Sequence, residues 1–325
     1  MDFFFVEYRD PIVGLIFLSV LIFLIASAHY IWRLFASKDA EQKLGRFIKK
    51  FELASAHKDL LRNEALNFSN LTFLAEIFTK SGAFEKATQI YLIALEKAGS
   101  KDEQEQVFLA LALVYFKAGF LEKSREVLHN ALKIRPRNKT ALKLLKIVQL
   151  KLKLFKENLE LLDCLFELGE EVESEREFIK ALMIERSKST AEEKRAALLG
   201  LNFKDNAPLK RLFFEKYGLF KEQDFEGICD LLYKNPKPVN ERDAKYYEFF
   251  YALNLVEARQ DFRFKNSNLK MFKILKDNAF KARLDFSYLC LECKNIMPLF
   301  FYHCPVCYEF NACKILLEVK NDEEC

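Results

Sequence analysis

Ile12 to Trp32 is a run of 21 residues with no formal charge apart from His29, rich in Ile, Leu and Phe on every face. At 1.5 Å per residue such a run crosses a hydrocarbon core of roughly 30 Å. It predicts a transmembrane helix over 12–35, with Pro11 before its first turn and Tyr30 and Trp32 near its end. Downstream the period changes to that of amphipathic helices. Leu71, Leu74, Ala75, Phe78, Gly82, Phe84, Ala87, Tyr91 and Ala94 recur 37 residues later as Phe108, Leu111, Ala112, Tyr115, Gly119, Leu121, Ser124, Leu128 and Ala131. The spacing predicts pairs of antiparallel helices. Small residues (Ala75, Ala87, Ala112, Ser124) sit where helices cross, Gly82 and Gly119 end the first helix of each pair, and Pro136 stops the second.

These two units, 68–101 and 105–138, resemble tetratricopeptide repeats: a 34-residue period with about three extra residues near Ser100-Lys101-Asp102. A third unit is degenerate. Leu142, Leu145, Phe155, Leu162 and Leu165 keep its apolar positions, but Lys146, Lys153 and Asn158 stand at its small ones. Further helices are expected near 176–187, 190–200 (a capping box, Thr190 with Glu193), 208–220, 224–234, 242–258 and 268–281, with Asn235-Pro236-Lys237-Pro238 as a break. The expectation is one α-solenoid over 51–281, since single units cannot bury their apolar faces. Its groove is expected to be lined by Thr72, Glu76, Thr79, Leu109, Leu113 and Phe116, as a surface for protein partners.

Composition narrows the function. Nine Gly and seven Pro in 325 residues are too few for a turn-rich β fold. The glycines are too scattered for a dinucleotide fingerprint, a P-loop or a nucleophile elbow, and none of the four His begins H-E-x-x-H. No catalytic constellation is present, and the chain reads as a non-enzyme. Its 51 basic and 47 acidic residues leave a net charge of +4, which gives no footprint for nucleic acid.

Charge is nonetheless segregated. Before the span stand Asp2, Glu7, Arg9 and Asp10; after it come Arg33, Lys38, Lys43, Arg46, Lys49 and Lys50. The positive-inside rule therefore places residues 1–11 outside the cytoplasm and 36–50 as a juxtamembrane linker within it. Ala26-Ser27-Ala28 has the form of a signal-peptide cleavage site, but the acidic start and the basic flank favour an anchor. From Val127 to Lys156 there are nine Lys/Arg and no acid, and from Glu157 to Glu177 nine acids and one Arg. Lys139, Lys143 and Lys146 share a helix face. They form either a patch for anionic lipid or an acidic partner, or a face neutralised by its acidic neighbour.

The chain ends in Cys290-Leu-Glu-Cys293, ten residues, then Cys304-Pro-Val-Cys307. Two C-x-x-C knuckles joined by a short hairpin suit one tetrahedral ion held by four thiolates, Zn²⁺ with Fe as the alternative. The closed donor set leaves no position for substrate, which makes the site structural. Lys294, His303 and Lys314 can offset its negative charge. Lys294 and Tyr308 stand where rubredoxin knuckles carry Gly, which weakens an electron-transfer reading. Cys164 and Cys229 are read as core residues, Cys313 and His303 as less well placed alternative ligands, and Cys325 as a free thiol. The fold class is thus all-α, with a single N-terminal span, a tetratricopeptide solenoid and a small Cys₄ zinc-ribbon or rubredoxin-like knuckle over 282–325.

That order of parts resembles the lipopolysaccharide assembly protein B family of Gram-negative bacteria. The most specific likeness is Tyr288-x-Cys290-x-x-Cys293 followed by Tyr302-His303-Cys304-Pro305-x-Cys307. The resemblance implies a non-enzymatic adaptor of the inner membrane, N-terminus periplasmic and bulk cytoplasmic. Such an adaptor couples the committed-step lipid A deacetylase to an FtsH-type AAA+ zinc protease. It also implies the four cysteines as metal ligands and a metal module packed on the solenoid. A general assembly factor for an envelope, secretion or flagellar machine is the alternative, and a rubredoxin-like redox protein a weaker one. Homo-oligomer formation stays open.

Overall fold

The computed structural model describes residues 61–62, 66–218, 224–237, 240, 242–260 and 262–322. The anticipated span at 12–35, its flanks and Cys325 lie outside them. No helix among the described residues is long and apolar enough to cross a membrane. Two compact units divide the chain after Phe120.

In the first unit, α1 (Phe68–Lys80), α2 (Phe84–Glu96) and α3 (Lys101–Lys117) pack on one another. Leu71, Ala75, Ala87, Ala94, Leu111 and Ala112 are buried, as the repeat spacing requires. Asn67 caps α1 by accepting from the Asn70 amide, and Ser100 makes a full capping box with Glu103 at α3. The extra residues between the repeats are the ones that build this cap. Gly82 (φ 79°) and Gly119 (φ 84°) close α1 and α3 in the left-handed region. After each, the next amide donates back, Ala83 to the Phe78 carbonyl and Phe120 to that of Tyr115, satisfying helix-end acceptors.

The second unit begins with α4 (Leu121–Ile134), α5 (Lys139–Leu152), α6 (Phe155–Glu167) and α7 (Glu173–Arg186), each packed on the next. Thus α5 and α6 form the degenerate third repeat. Lys153, 34 residues after Gly119, holds the same left-handed conformation (φ 63°) with a full side chain. Glycine removes the steric cost there, partly offset by its unfolded-state entropy. Lys153→Gly should therefore raise stability by about 0.5 kcal/mol, read from a urea midpoint.

Then follow α8 (Ala191–Leu199), α9 (Ala207–Tyr217), a 3₁₀ turn at Phe225–Gly227, α10 (Cys229–Lys234), α11 (Ala244–Ala252) and α12 (Ser267–Asp277). The helix expected over 242–258 stops at Ala252 because Asn254 turns left-handed (φ 62°) and the Leu255 amide returns to the Phe250 carbonyl.

The chain is not all-α. β1 (Ala282–Cys290) pairs antiparallel with β3 (Cys313–Asn321) from Ala282↔Asn321 to Cys290↔Cys313, and β2 (Ile296–Met297) adds on the other side in the order β2-β1-β3. β1 alternates, burying Ala282, Leu284, Tyr288 and Cys290. These strands are not an appendage. Leu284, Ile315, Leu317 and Val319 pack into one core with Phe225, Tyr246, Phe249, Phe250 and Phe272 from the last helices.

Candidate metal centre and its docking face

β1 delivers Cys290 at its end, and a tight turn follows in which the Lys294 amide donates to the Cys290 carbonyl and the Cys290 amide to that of Asn295. The second knuckle repeats the plan: Tyr308 N–H to the Cys304 carbonyl, Cys304 N–H to that of Glu309. Lys294 (φ 60°) and Tyr308 (φ 66°) are left-handed, so both keep a conformation that glycine adopts most easily. The four sulfurs converge within 4.8 Å of one another, with Cys290–Cys307 and Cys293–Cys304 each at 3.6 Å. A tetrahedron with 2.3 Å Zn–S bonds has edges of about 3.8 Å, so the donor set fits an ion. Cys290, Cys293, Cys304 and Cys307 would hold it, and a bound ion would cross-link the two knuckles.

Donors surround the sulfurs. Asn295 Nδ2 reaches Cys293 Sγ at 3.2 Å, and the Val306 amide reaches Cys304 Sγ at 3.4 Å. The Asn295 bonds bring the Cys293 thiol down to about 6. Burial pushes Cys307 up to about 12 and raises Cys304. Cys313, opposite Cys290 on β3, lies outside the four-sulfur group, and burial raises its thiol to about 11. Cys229 is buried as expected, but Cys164 is exposed, because Leu161, Leu162 and Leu165 fill the inward face of α6.

Three polar contacts seat the knuckles on the helices, two of them buried. His303 Nε2 lies 2.7 Å from Glu175 Oε1, while Glu175 Oε2 accepts from Lys146 Nζ at 2.8 Å. Glu175 and Lys146 are 4% and 5% exposed. Burial opposes ionisation of Glu175. The His303 bond and the Lys146 charge outweigh it, so this carboxyl lies below its usual range. Asn158 Nδ2 donates to the Lys146 carbonyl at 2.7 Å, so two residues that break the repeat pattern pack together. Next to them, Lys143 bridges Glu309 (2.7 Å) and Glu170 (3.1 Å), and Lys139 also holds Glu170. The basic face of α5 is therefore neutralised by the acidic segment and by the knuckle itself, and offers no free patch. Beside it opens a cavity of about 470 Å³ between Phe166, Glu170, Glu173, Glu309 and Phe310.

The third contact is Arg211 on α9. It grips Asp230 with two bonds of 2.7 and 2.8 Å, donates to the Gly227 carbonyl and lies 3.7 Å over the Phe300 ring. Tyr288 donates to Asp230 at 2.8 Å, and Tyr302 to Glu215 at 3.0 Å. Burial works against the Asp230 charge, yet the Arg211 bonds keep its carboxyl below the usual range. Burial and then Asp230 raise Tyr288; burial and then Glu215 raise Tyr302. So Tyr288, Tyr302 and His303 of the cysteine tail each bond a carboxylate of the helices.

Several solved structures resemble the chain loosely. One is pilF of Pseudomonas aeruginosa (14% identity, TM-score 0.33, covering 47% of this chain and 63% of that one). Others are a tetratricopeptide repeat protein of Parabacteroides merdae (14%, 0.39, 58% and 74%) and BtubC of P. vanneervenii (15%, 0.33, 69% and 95%). This chain thus spans less than two thirds of the length of pilF. No protein-family model and no curated protein matches it. Likenesses this loose say nothing of function. The repeat-like architecture rests on the chain's own packed pairs α1/α2 and α5/α6 and on the left-handed closures at Gly82, Gly119 and Lys153.

The anticipated groove residues fall on α1 and α3, which touch. Thr72, Leu109, Leu113 and Phe116 are half-buried, and Glu76 is exposed and paired with Lys80. Thr79 does not line a surface: it is buried, and its hydroxyl donates to the Ala75 carbonyl at 2.8 Å. Sequence reasoning missed Glu175, Glu309, Arg211 and Asp230. The signal for the first was Lys146, a lysine at a position that holds Ala112 one repeat earlier and so needs a buried carboxylate.

Proposed function

We propose that the protein is a non-enzymatic, membrane-anchored adaptor that holds protein partners on its repeats. The observation that carries this reading is the seating of the four-cysteine knuckles on the third repeat through His303, Glu175 and Lys146. A closed thiolate set has no place for a substrate, and here it stiffens a binding scaffold. The finer reading places the chain in the bacterial inner membrane, N-terminus periplasmic. There it regulates lipid A synthesis by coupling the committed-step deacetylase to an FtsH-type AAA+ protease. Its support is the order of span, repeats and cysteine tail, together with the bonds that Tyr288, Tyr302 and His303 make. Tethering beneath the membrane raises the effective concentration of repeats and membrane-bound partners.

The test is recovery of the full-length protein from membranes in mild detergent, with mass spectrometry of what accompanies it and metal analysis of the same sample. Recovery of the deacetylase or the protease is expected. Components of a secretion or flagellar machine in their place would move the function to general assembly. Colour from an iron–thiolate centre would replace Zn²⁺ by Fe and favour redox chemistry.

A further inference from the structure

The end of α12 carries an apolar ridge that the core does not use. Leu269 and Phe272 face inward, whereas Met271 and Ile274 are 44% and 51% exposed. Three residues past the helix, Phe280 is 64% exposed. Its position is set by backbone: Ala279 turns left-handed (φ 60°) and the Phe280 amide returns to the Leu275 carbonyl, which closes α12 and projects the ring. Met271, Leu275, Phe280 and Val319 line an open cavity of about 370 Å³, with Lys281 and Lys320 at its rim. Scattered exposed apolar residues are ordinary, but Met271 and Phe280 on one cavity, with Ile274 a turn away, are not scattered.

The surroundings are basic. From Phe262 to Arg283 there are seven Lys/Arg and a single acid, Asp277. Asp277 is paired with Lys273, and Asp285 of β1 with Lys320; Asp322 follows the end of β3. Lys270 is exposed on the turn before Ile274, on the same helix face. Bulky apolar residues on an outward ridge, with long lysines around them, match the headgroup boundary of an anionic bilayer. There apolar groups enter the acyl edge while ammonium groups stay at the phosphates.

We infer that Met271, Ile274 and Phe280, ringed by Lys270, Lys281 and Lys320, rest on the surface of an anionic phospholipid membrane. The nearness of that membrane rests on the anchored reading above. The two separate in one experiment. The full-length chain is made with Phe280→p-benzoylphenylalanine, or as a control Phe166→p-benzoylphenylalanine on the exposed side of α6. It is incorporated into vesicles of phosphatidylethanolamine with phosphatidylglycerol (3:1), or of phosphatidylcholine alone, and irradiated. Resistance of the protein to alkaline extraction from the vesicles reports the span independently.

The expected result is a phospholipid adduct at position 280, on the order of fivefold above both the control position and the neutral vesicles. Lys270→Glu with Lys281→Glu should reduce it to the control level. If the chain is extracted by alkali, the anchor fails, yet vesicles added outside should still label position 280. Equal labelling at 280 and 166, no lipid adduct, or a crosslink to protein alone would overturn the inference.

Discussion

Glu175→Leu should destabilise the second unit by about 3–5 kcal/mol, because it leaves the Lys146 ammonium buried without its partner. Glu175 is the only carboxylate that the structure places on both Lys146 and His303 among the described residues. The loss should appear as a lower urea midpoint for near-UV ellipticity, a signal of the Phe and Tyr packing around Phe178, Tyr302 and Phe310. Replacing the pair together, Lys146→Met with Glu175→Leu, should recover more than half of the loss, since an apolar pair of similar volume is often as stable as a buried ion pair. If the single variant unfolds at the parental midpoint, the buried pair does not hold the knuckle to the repeats.

Cys304→Ser should remove the metal. Cys304 is 1% exposed and its sulfur lies 3.6 Å from that of Cys293, inside the four-sulfur group. Structural zinc in small modules contributes apparent binding free energies of about 10–16 kcal/mol, and loss of one thiolate forfeits much of that. Metal analysis should fall from one equivalent to near none, and β1–β3 should become sensitive to limited proteolysis while α1–α3 stay resistant. Cys313→Ser should retain the metal, because that thiol stands outside the four-sulfur group. Full metal content in Cys304→Ser would show that the ligand assignment is wrong.

The sequence announced the features that repeat or are chemically explicit. Gly82 and Gly119 marked helix ends because φ near +80° is costly for other residues. The two C-x-x-C pairs marked a site because four thiolates at that spacing have few other uses. Long-range pairing was not legible. Nothing near Lys146 or Arg211 says that Glu175 and Asp230 answer them. Those partners are set by how helices stack, which local periodicity does not encode. Nor were β1 and β3 legible, because their alternation is diluted by half-buried positions such as Phe286 and Leu316. Thr79 and Cys164 were misplaced for a simpler reason: one residue of drift turns a helix face by about 100°, enough to exchange inside for outside.

The contact between His303 and Glu175 also orders events in time. It joins residues 128 apart, and Lys143 to Glu309 spans 166. At 5–20 residues per second, a nascent chain has made Glu175 for roughly 6–26 s before His303 is synthesised. During that interval the third repeat holds a buried-type charge pair with one side open. A chain stopped before residue 303 therefore lacks the partners that the full chain sets on Glu175 and Lys143, so truncation leaves that charged helix face uncovered.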